Sequence, residues 1–167
     1  MRITDLLKAC SVELNGTPQT KEETIKQMVA LMEKGGNVTD VEKYKAGVFA
    51  REEEGTTGIG EGIAIPHAKT DAVNAPGLAA MVIPAGVDYD ALDGQPVDLI
   101  FLIAAPNTED NVHLEVLSRL SMLLMDESFK QNLLKAKTVE EFLAVVDRAE
   151  NAKNEACLLY TSDAADD

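Results

Sequence analysis

The segment Gly58-Ile59-Gly60-Glu61-Gly62-Ile63-Ala64-Ile65-Pro66-His67-Ala68-Lys69 decides how this chain is read. It carries one of only two histidines in 167 residues, set behind a proline at the end of a short apolar run. Glycines at 58, 60 and 62 let the backbone come close to another molecule with no side chain in the way. Gly62–Pro66 reads as a short strand with Ile63 and Ile65 on one face, ended by Pro66. A histidine in that setting is expected at the mouth of a sheet rather than on a mobile loop.

Outward from this segment, three helices carry the same start signal, a threonine followed three residues later by glutamate. Thr20 and Glu23 open a helix with Ile25, Met28, Val29 and Met32 at helical spacing, stopped by Gly35-Gly36. Thr39 and Glu42 open a second, with Val41, Tyr44 and Val48 inward, ending near Gly55. Thr138 and Glu141 open the last, with Phe142, Val145 and Val146 on its buried face. Strands are expected at Val12–Leu14, Gly62–Pro66, Leu78–Pro84 and Val97–Ala105. Leu99-Ile100-Phe101-Leu102-Ile103 has no polar face, so it is expected at the centre of the sheet, covered on both sides. Asp93-Gly94 reads as a tight turn ahead of it. Thr108 or Asp110 is expected to cap a long helix holding Leu114, Leu117, Leu120 and Leu124, and a further helix covers about Glu127–Ala136. The resulting fold class is α/β: one domain, a mostly buried mixed sheet between helical layers.

With 46% hydrophobic and 26% charged residues, the composition is that of an ordinary globular domain. Its longest apolar run, Leu99–Pro106, is strand-sized, and the N-terminus lacks a signal peptide's apolar core, so a cytoplasmic location is expected. A net charge of −14 argues against nucleic acid or an anionic membrane as partner; it suits a basic protein partner, or simply keeps the domain soluble. The last eleven residues, Cys157–Asp167, read like a sequencing-library adapter translated in one frame, and are set aside. That leaves Cys10 as the remaining cysteine and removes disulfides and thiolate metal sites from consideration. Ala149–Ala156 is small and polar and reads as the start of a linker, giving a domain at 1–150, a linker at 151–156 and a non-native tail at 157–167.

The run Ile59–Ala68 resembles the phosphorylation-site segment of enzyme IIA domains of the sugar phosphotransferase system, in the fructose/mannitol branch that also holds nitrogen-regulatory IIA proteins. Asn111–Ser121, Asn-Val-His-Leu-Glu-Val-Leu-Ser-Arg-Leu-Ser, resembles a second segment of the same family. The likeness extends over about 1–150 and is nearest to the fructose-specific component. It implies the mannitol-type IIA fold and a phosphotransferase acting on a phosphohistidine relay. It further implies that His67 takes a phosphoryl group from the carrier HPr and passes it to a cysteine on a IIB domain. In the family that domain and the membrane component IIC can share one polypeptide with IIA, and the resemblance leaves that arrangement open here. The alternative is a regulatory IIA module, nitrogen-regulatory or attached to a transcription regulator, that signals by the same phosphohistidine.

Phosphoryl transfer needs positioning and electrostatics more than covalent machinery. His67 supplies a nucleophile; a lone histidine on a strand otherwise bonds a carbonyl and does no chemistry. His113 falls in the first turn of the long helix, where the dipole disfavours an added proton and favours an anion. The resemblance places it beside the phosphorylated histidine, as a hydrogen-bond donor to the phosphoryl group. Arg51 suits phosphate, and the family has an arginine there; it equally suits a helix C-terminus or its acidic neighbours. Thr56 and Thr57 could offer hydroxyls or merely cap turns. Glu61 could orient an imidazole but would repel phosphate, and Lys69 could attract it or simply be solvated. A two-histidine metal site lacks further ligands, and no Gly-Lys-Ser/Thr follows the glycines, so neither metal, nucleotide nor organic cofactor is expected.

Overall fold

The computed structural model describes residues 2–108 and 111–166, with side chains described through Ala152 in the last helix. A single six-stranded mixed sheet runs β1 (Leu7–Glu13), β5 (Gly77–Val87), β6 (Val97–Pro106), β3 (Ile63–Ala64), β2 (Gly58–Gly60), with β4 (His67–Thr70) also paired to β6. The β1–β5 pair and the pairs of β6 with β3 and β4 are parallel, whereas β5–β6 and β2–β3 are antiparallel. The expected α/β class and mixed sheet are therefore observed.

Strand alternation divides the core in two. Ile100, Leu102 and Ala104 of β6 face one layer, where α2 (Lys21–Lys34) and α3 (Val41–Glu54) add Ile25, Met28, Met32, Tyr44 and Val48. Leu99, Phe101 and Ile103 face the other, packed by α1 (Ile3–Leu6), α4 (Val112–Leu124), α5 (Glu127–Lys135) and α6 (Val139–Asp166). Every residue from Val97 to Ala105 except Asp98 is buried, as a strand covered on both faces requires.

The helix boundaries follow their capping residues. Thr20 accepts from the Glu23 amide, and Thr138 from the Glu141 amide. The returning glutamates bond one residue further out than a capping box would: Glu23 accepts from the Gln19 amide and Glu141 from the Lys137 amide. Helix α3 starts one residue later than the Thr39 signal suggests. Asp40 is its N-cap, accepting from the Lys43 amide, because the Thr39 hydroxyl is drawn away to donate to the Ala72 carbonyl. Helix α4 is entered through Asn111, with no side-chain cap, three residues past Thr108; the other expected cap, Asp110, lies outside the described residues. Helix α6 continues across 151–156, where Ala, Glu and Lys are strong helix formers and no Gly or Pro interrupts them.

Two readings of the opening segment change in three dimensions. Pro66 interrupts the ladder without ending the strand. It has no N–H to donate, yet its carbonyl accepts from the Ile103 amide at 3.0 Å. Ile63 pairs with Leu99 and His67 with Ile103, so β3 and β4 are one extended segment in a single register. The glycines, in turn, let the chain approach itself. A Cβ on Gly58 would sit 2.9 Å from Ala91, and Gly62 combines φ +79 with a Cβ position 2.6 Å from the Asp98 carboxylate.

Candidate functional site

Alternation along β3–β4 sorts the candidate residues. Ile63 and Ile65 lie in the core layer beneath α4, whereas Ala64 and Ala68 face α2 and α3. His67 and Lys69, in phase with Ile65, emerge on the α4 side, and both are half-buried. The His67 Nδ1 lies 3.1 Å from the Ile65 carbonyl oxygen. A carbonyl only accepts, so Nδ1 carries the proton and the ring's other nitrogen, Nε2, keeps its lone pair. The carbonyl bond that would mark a purely structural histidine here also leaves a nucleophilic nitrogen uncommitted.

His113 is the second helical residue of α4 and comes to His67 across 46 positions of sequence, with ring centroids 6.3 Å apart and planes inclined by 31°. Partial burial holds the His113 imidazole below the ordinary histidine value; the neighbouring His67 and Lys69 push in the same direction. His113 is thus neutral at neutral pH. Its Nδ1 is buried with no hydrogen-bond partner among the described residues, at the N-terminus of a 13-residue helix whose dipole favours an anion. His67, His113 and Lys69 form one cluster.

The other candidates lie elsewhere. Arg51 is in the last turn of α3, and its Nη1 donates to the Gly55 carbonyl at 2.9 Å. It sits one helical turn past Gly47, whose Cβ position meets the Ala68 Cβ at 3.4 Å, so α3 carries it toward the His67 end of β4, along the edge of that strand not paired to β6. Thr57 is buried and engaged with Glu52 and Tyr89, and Thr56 accepts from the Gly58 amide and from Lys21. Glu61 is at the β2–β3 turn, with φ 57, its amide bonded to Asp93 and its carbonyl to Lys130. Four residues of strand, Ile63 to His67, or roughly 13 Å, already separate that turn from the imidazole. The Ile65 carbonyl is the contributor that residue types could not reveal, since a backbone atom leaves no signature in sequence.

Residues 5–149 match the family model described as phosphoenolpyruvate-dependent sugar phosphotransferase system, EIIA 2. This chain belongs to that family. It is 45% identical over 148 residues to the fructose-specific EIIABC component of Bacillus subtilis, covering 89% of this chain but only 23% of that protein. It is 40% identical over 152 residues to the fructose-specific EIIA component of Haloferax volcanii, covering 87% of this chain and 99% of that one. Among solved structures, nitrogen regulatory protein IIA-Ntr from Neisseria meningitidis superposes with a TM-score of 0.80 at 30% identity, over 86% of this chain and 98% of that one. The Escherichia coli mannitol enzyme IIA, solved in complex with phosphorylated mannitol enzyme IIB, gives a TM-score of 0.74 at 31% identity, over 85% and 99%. The chain is accordingly a IIA-type component of a phosphotransferase system with the mannitol-type IIA fold. Among the described residues no helix is long and apolar enough to cross a membrane.

Proposed function

We propose that His67 is the phosphoryl-carrying residue of a fructose-type IIA component. It receives the group from the phosphohistidine of HPr and delivers it to a cysteine of a IIB domain, on the cytoplasmic side of a IIC transporter. The hydrogen bond between His67 Nδ1 and the Ile65 carbonyl carries this reading. The Nε2 lone pair attacks phosphorus as the P–N bond to the donor imidazole breaks. The Nδ1 proton stays in place, and the Ile65 carbonyl shares the positive charge that builds on the ring. One phosphohistidine replaces another, so the step is near balance in energy. In the second transfer a IIB thiolate displaces His67 from phosphorus and the neutral imidazole is restored.

His113, kept neutral, donates an N–H to the phosphoryl oxygens, and Lys69 and the α4 N-terminus supply the remaining positive potential. Arg51 joins the phosphoryl group by exchanging its Gly55 bond for it when a partner closes the site. Thr57 acts from behind the site, and neither metal nor organic cofactor enters the transfer. The module is confined to 1–150, with 151–156 leading out of it and 157–167 an adapter-derived tail. Higher identity to fructose-specific relatives than to the nitrogen regulatory protein of Pseudomonas aeruginosa, 33% over 134 residues, favours transport over regulation. The TM-score of 0.80 to a nitrogen-regulatory structure keeps the signalling role as second reading.

Incubation with phosphoenolpyruvate, enzyme I and HPr, followed by mass spectrometry, is expected to place one acid-labile phosphoryl group on the parent chain and none on His67→Ala. Equal labelling of that variant overturns the assignment. Onward transfer to a fructose-type IIB separates transport from regulation.

A further inference from the structure

On the α2–α3 side of the sheet, behind the histidine pair, lies a buried polar group with no part in the transfer described above. The Glu52 side chain is only 5% exposed. One of its oxygens, Oε2, accepts from Lys21 Nζ at 2.8 Å and from the Thr57 amide at 3.2 Å. The other, Oε1, accepts from the Tyr89 hydroxyl at 3.0 Å and from the Thr57 hydroxyl. Tyr89 is itself fully buried, with Lys21 Nζ 4.8 Å from its ring centre, and burial first, then the Glu52 charge, pushes its hydroxyl far above the ordinary tyrosine value. Four groups from three separate parts of the chain converge on one carboxylate.

What they hold is Thr57, and Thr57 holds Ile65. The Thr57 carbonyl accepts from the Ile65 amide at 3.1 Å, and the Ile65 carbonyl is the acceptor for His67 Nδ1. This happens beside Pro66, where the ladder to β6 lacks a donor. Residue Ile65 is therefore held at its amide from the Thr57 side, and its carbonyl, in the adjoining peptide to Pro66, is positioned through that residue's backbone. We propose that Glu52 is a positioning residue for His67: by fixing Thr57 through both its amide and its hydroxyl, it fixes the Ile65 carbonyl and hence the tautomer of the imidazole. The inference deepens the assignment of His67 as phosphoryl carrier and rests on it for its kinetic consequence, but not for its structural one.

The test uses Glu52→Ala, Glu52→Gln and Thr57→Val in the full chain, with three measurements. Long-range proton–nitrogen NMR reads which His67 nitrogen is protonated, rapid quench reads phosphoryl transfer from phospho-HPr, and urea titration reads stability. Glu52→Ala is expected to lower the Nδ1–H fraction and slow transfer by about 10- to 100-fold, the scale of a small misplacement at a reacting group. Glu52→Gln is expected to recover most of both. Its amide oxygen replaces the Oε2 acceptor and its NH₂ donates to hydroxyls that can turn round, so the geometry survives loss of the charge. Should Glu52→Ala fail to fold, Thr57→Val, which removes one hydroxyl and keeps the backbone, decides by a smaller shift in the same direction. The proposal is overturned if the folded variants keep the parental tautomer, or if transfer falls only as far as stability does across the set. A parent chain that is never phosphorylated would sink the carrier assignment while leaving the tautomer measurement to judge Glu52.

Discussion

Replacing His113 by leucine separates a catalytic role from a structural one, because the two predict opposite signs of stability. The His113 Nδ1 is buried and unpartnered among the described residues, and an unsatisfied buried polar atom costs about 1–3 kcal/mol. Leucine fills a similar volume with no polar atom, so that cost disappears. The ring is only half-buried, so the gain sits at the low end, from nothing to about 1 kcal/mol. The same change removes the donor facing His67 across 6.3 Å between ring centres. A hydrogen bond to a charged group is worth about 1.5–3 kcal/mol, so transfer from phospho-HPr is expected to slow by about 10- to 150-fold. His113→Gln retains an N–H and should restore part of the rate. Rapid quench with radiolabelled phospho-HPr gives the rates, and urea unfolding with an unchanged m-value gives the stabilities. Transfer by His113→Leu within about twofold of the parent refutes the reasoning, and so does a rate loss that merely tracks a stability loss.

The folded His113 pKa lies below its ordinary 6.5, so the unfolded chain binds a proton there before the folded chain does. Its contribution to stability is complete above that value and is lost as pH falls through the folded pKa; unfolding midpoints from pH 8 to 5 that stay flat or rise in His113-dependent fashion contradict this. Lys69 is one cause of the depression, so Lys69→Met should move the His113 titration upward by NMR, and a downward or absent shift removes Lys69 from the cluster. Tyr44 is fully buried and its hydroxyl donates at 2.9 Å to the carbonyl of Ile103, the register partner of His67. Tyr44→Phe should cost about 1 kcal/mol in urea unfolding, and no loss would show that the bond contributes nothing net. In Gly77→Ala the new Cβ would lie 2.0 Å from Asn37 Nδ2, which donates to the Ala75 carbonyl at 3.1 Å, so buried Asn37 must give up that bond. A loss of about 2 kcal/mol is expected, and an unchanged melting temperature would mean that Asn37 relocates freely.

Sequence made the centre of this fold legible and its margins hard to read, for a physical reason. A strand buried on both faces, such as Leu99–Ile103, has no polar phase to confuse it with anything else, and the capping threonines of α2 and α6 bond as their spacing requires. Strand β1 shows no alternation: Leu7 is buried, Lys8 to Cys10 are exposed, and Ser11 and Val12 are buried, with a bulge between. An edge strand with one neighbour and irregular register leaves little periodicity to detect. The four-residue α1 before it is likewise too short for a helical stripe. At the site, residue type singled out both histidines and left Lys69 open, and the three lie together on the α4 side of the sheet. It could not say which way Glu61 or Arg51 would be carried, because that depends on register and on the face of the sheet. Nor could it mark Glu52, one of three consecutive glutamates that differ only in where α3 aims them.

The meeting of His67 and His113 follows from topology rather than from either local motif. Strand β4 is parallel to β6, and His67, the first residue of β4, pairs with Ile103, close to the carboxyl end of β6 at Pro106. The chain leaves β6 at Pro106 and enters α4 at Val112, and a connection that short keeps the first turn of the helix at the same end of the sheet. Helix α4 then folds back over the face that carries Ile63 and Ile65, the face from which His67 projects. A helix that returns directly after β6 brings its N-terminus, where backbone donors collect and anions are stabilised, to the side chain that the neighbouring parallel strand presents there. Because His67 is presented by the ladder and His113 by the first turn that follows it, the distance between the imidazoles is fixed by two rigid elements. Only the tautomer at His67 is left to the Ile65 carbonyl and to whatever holds it.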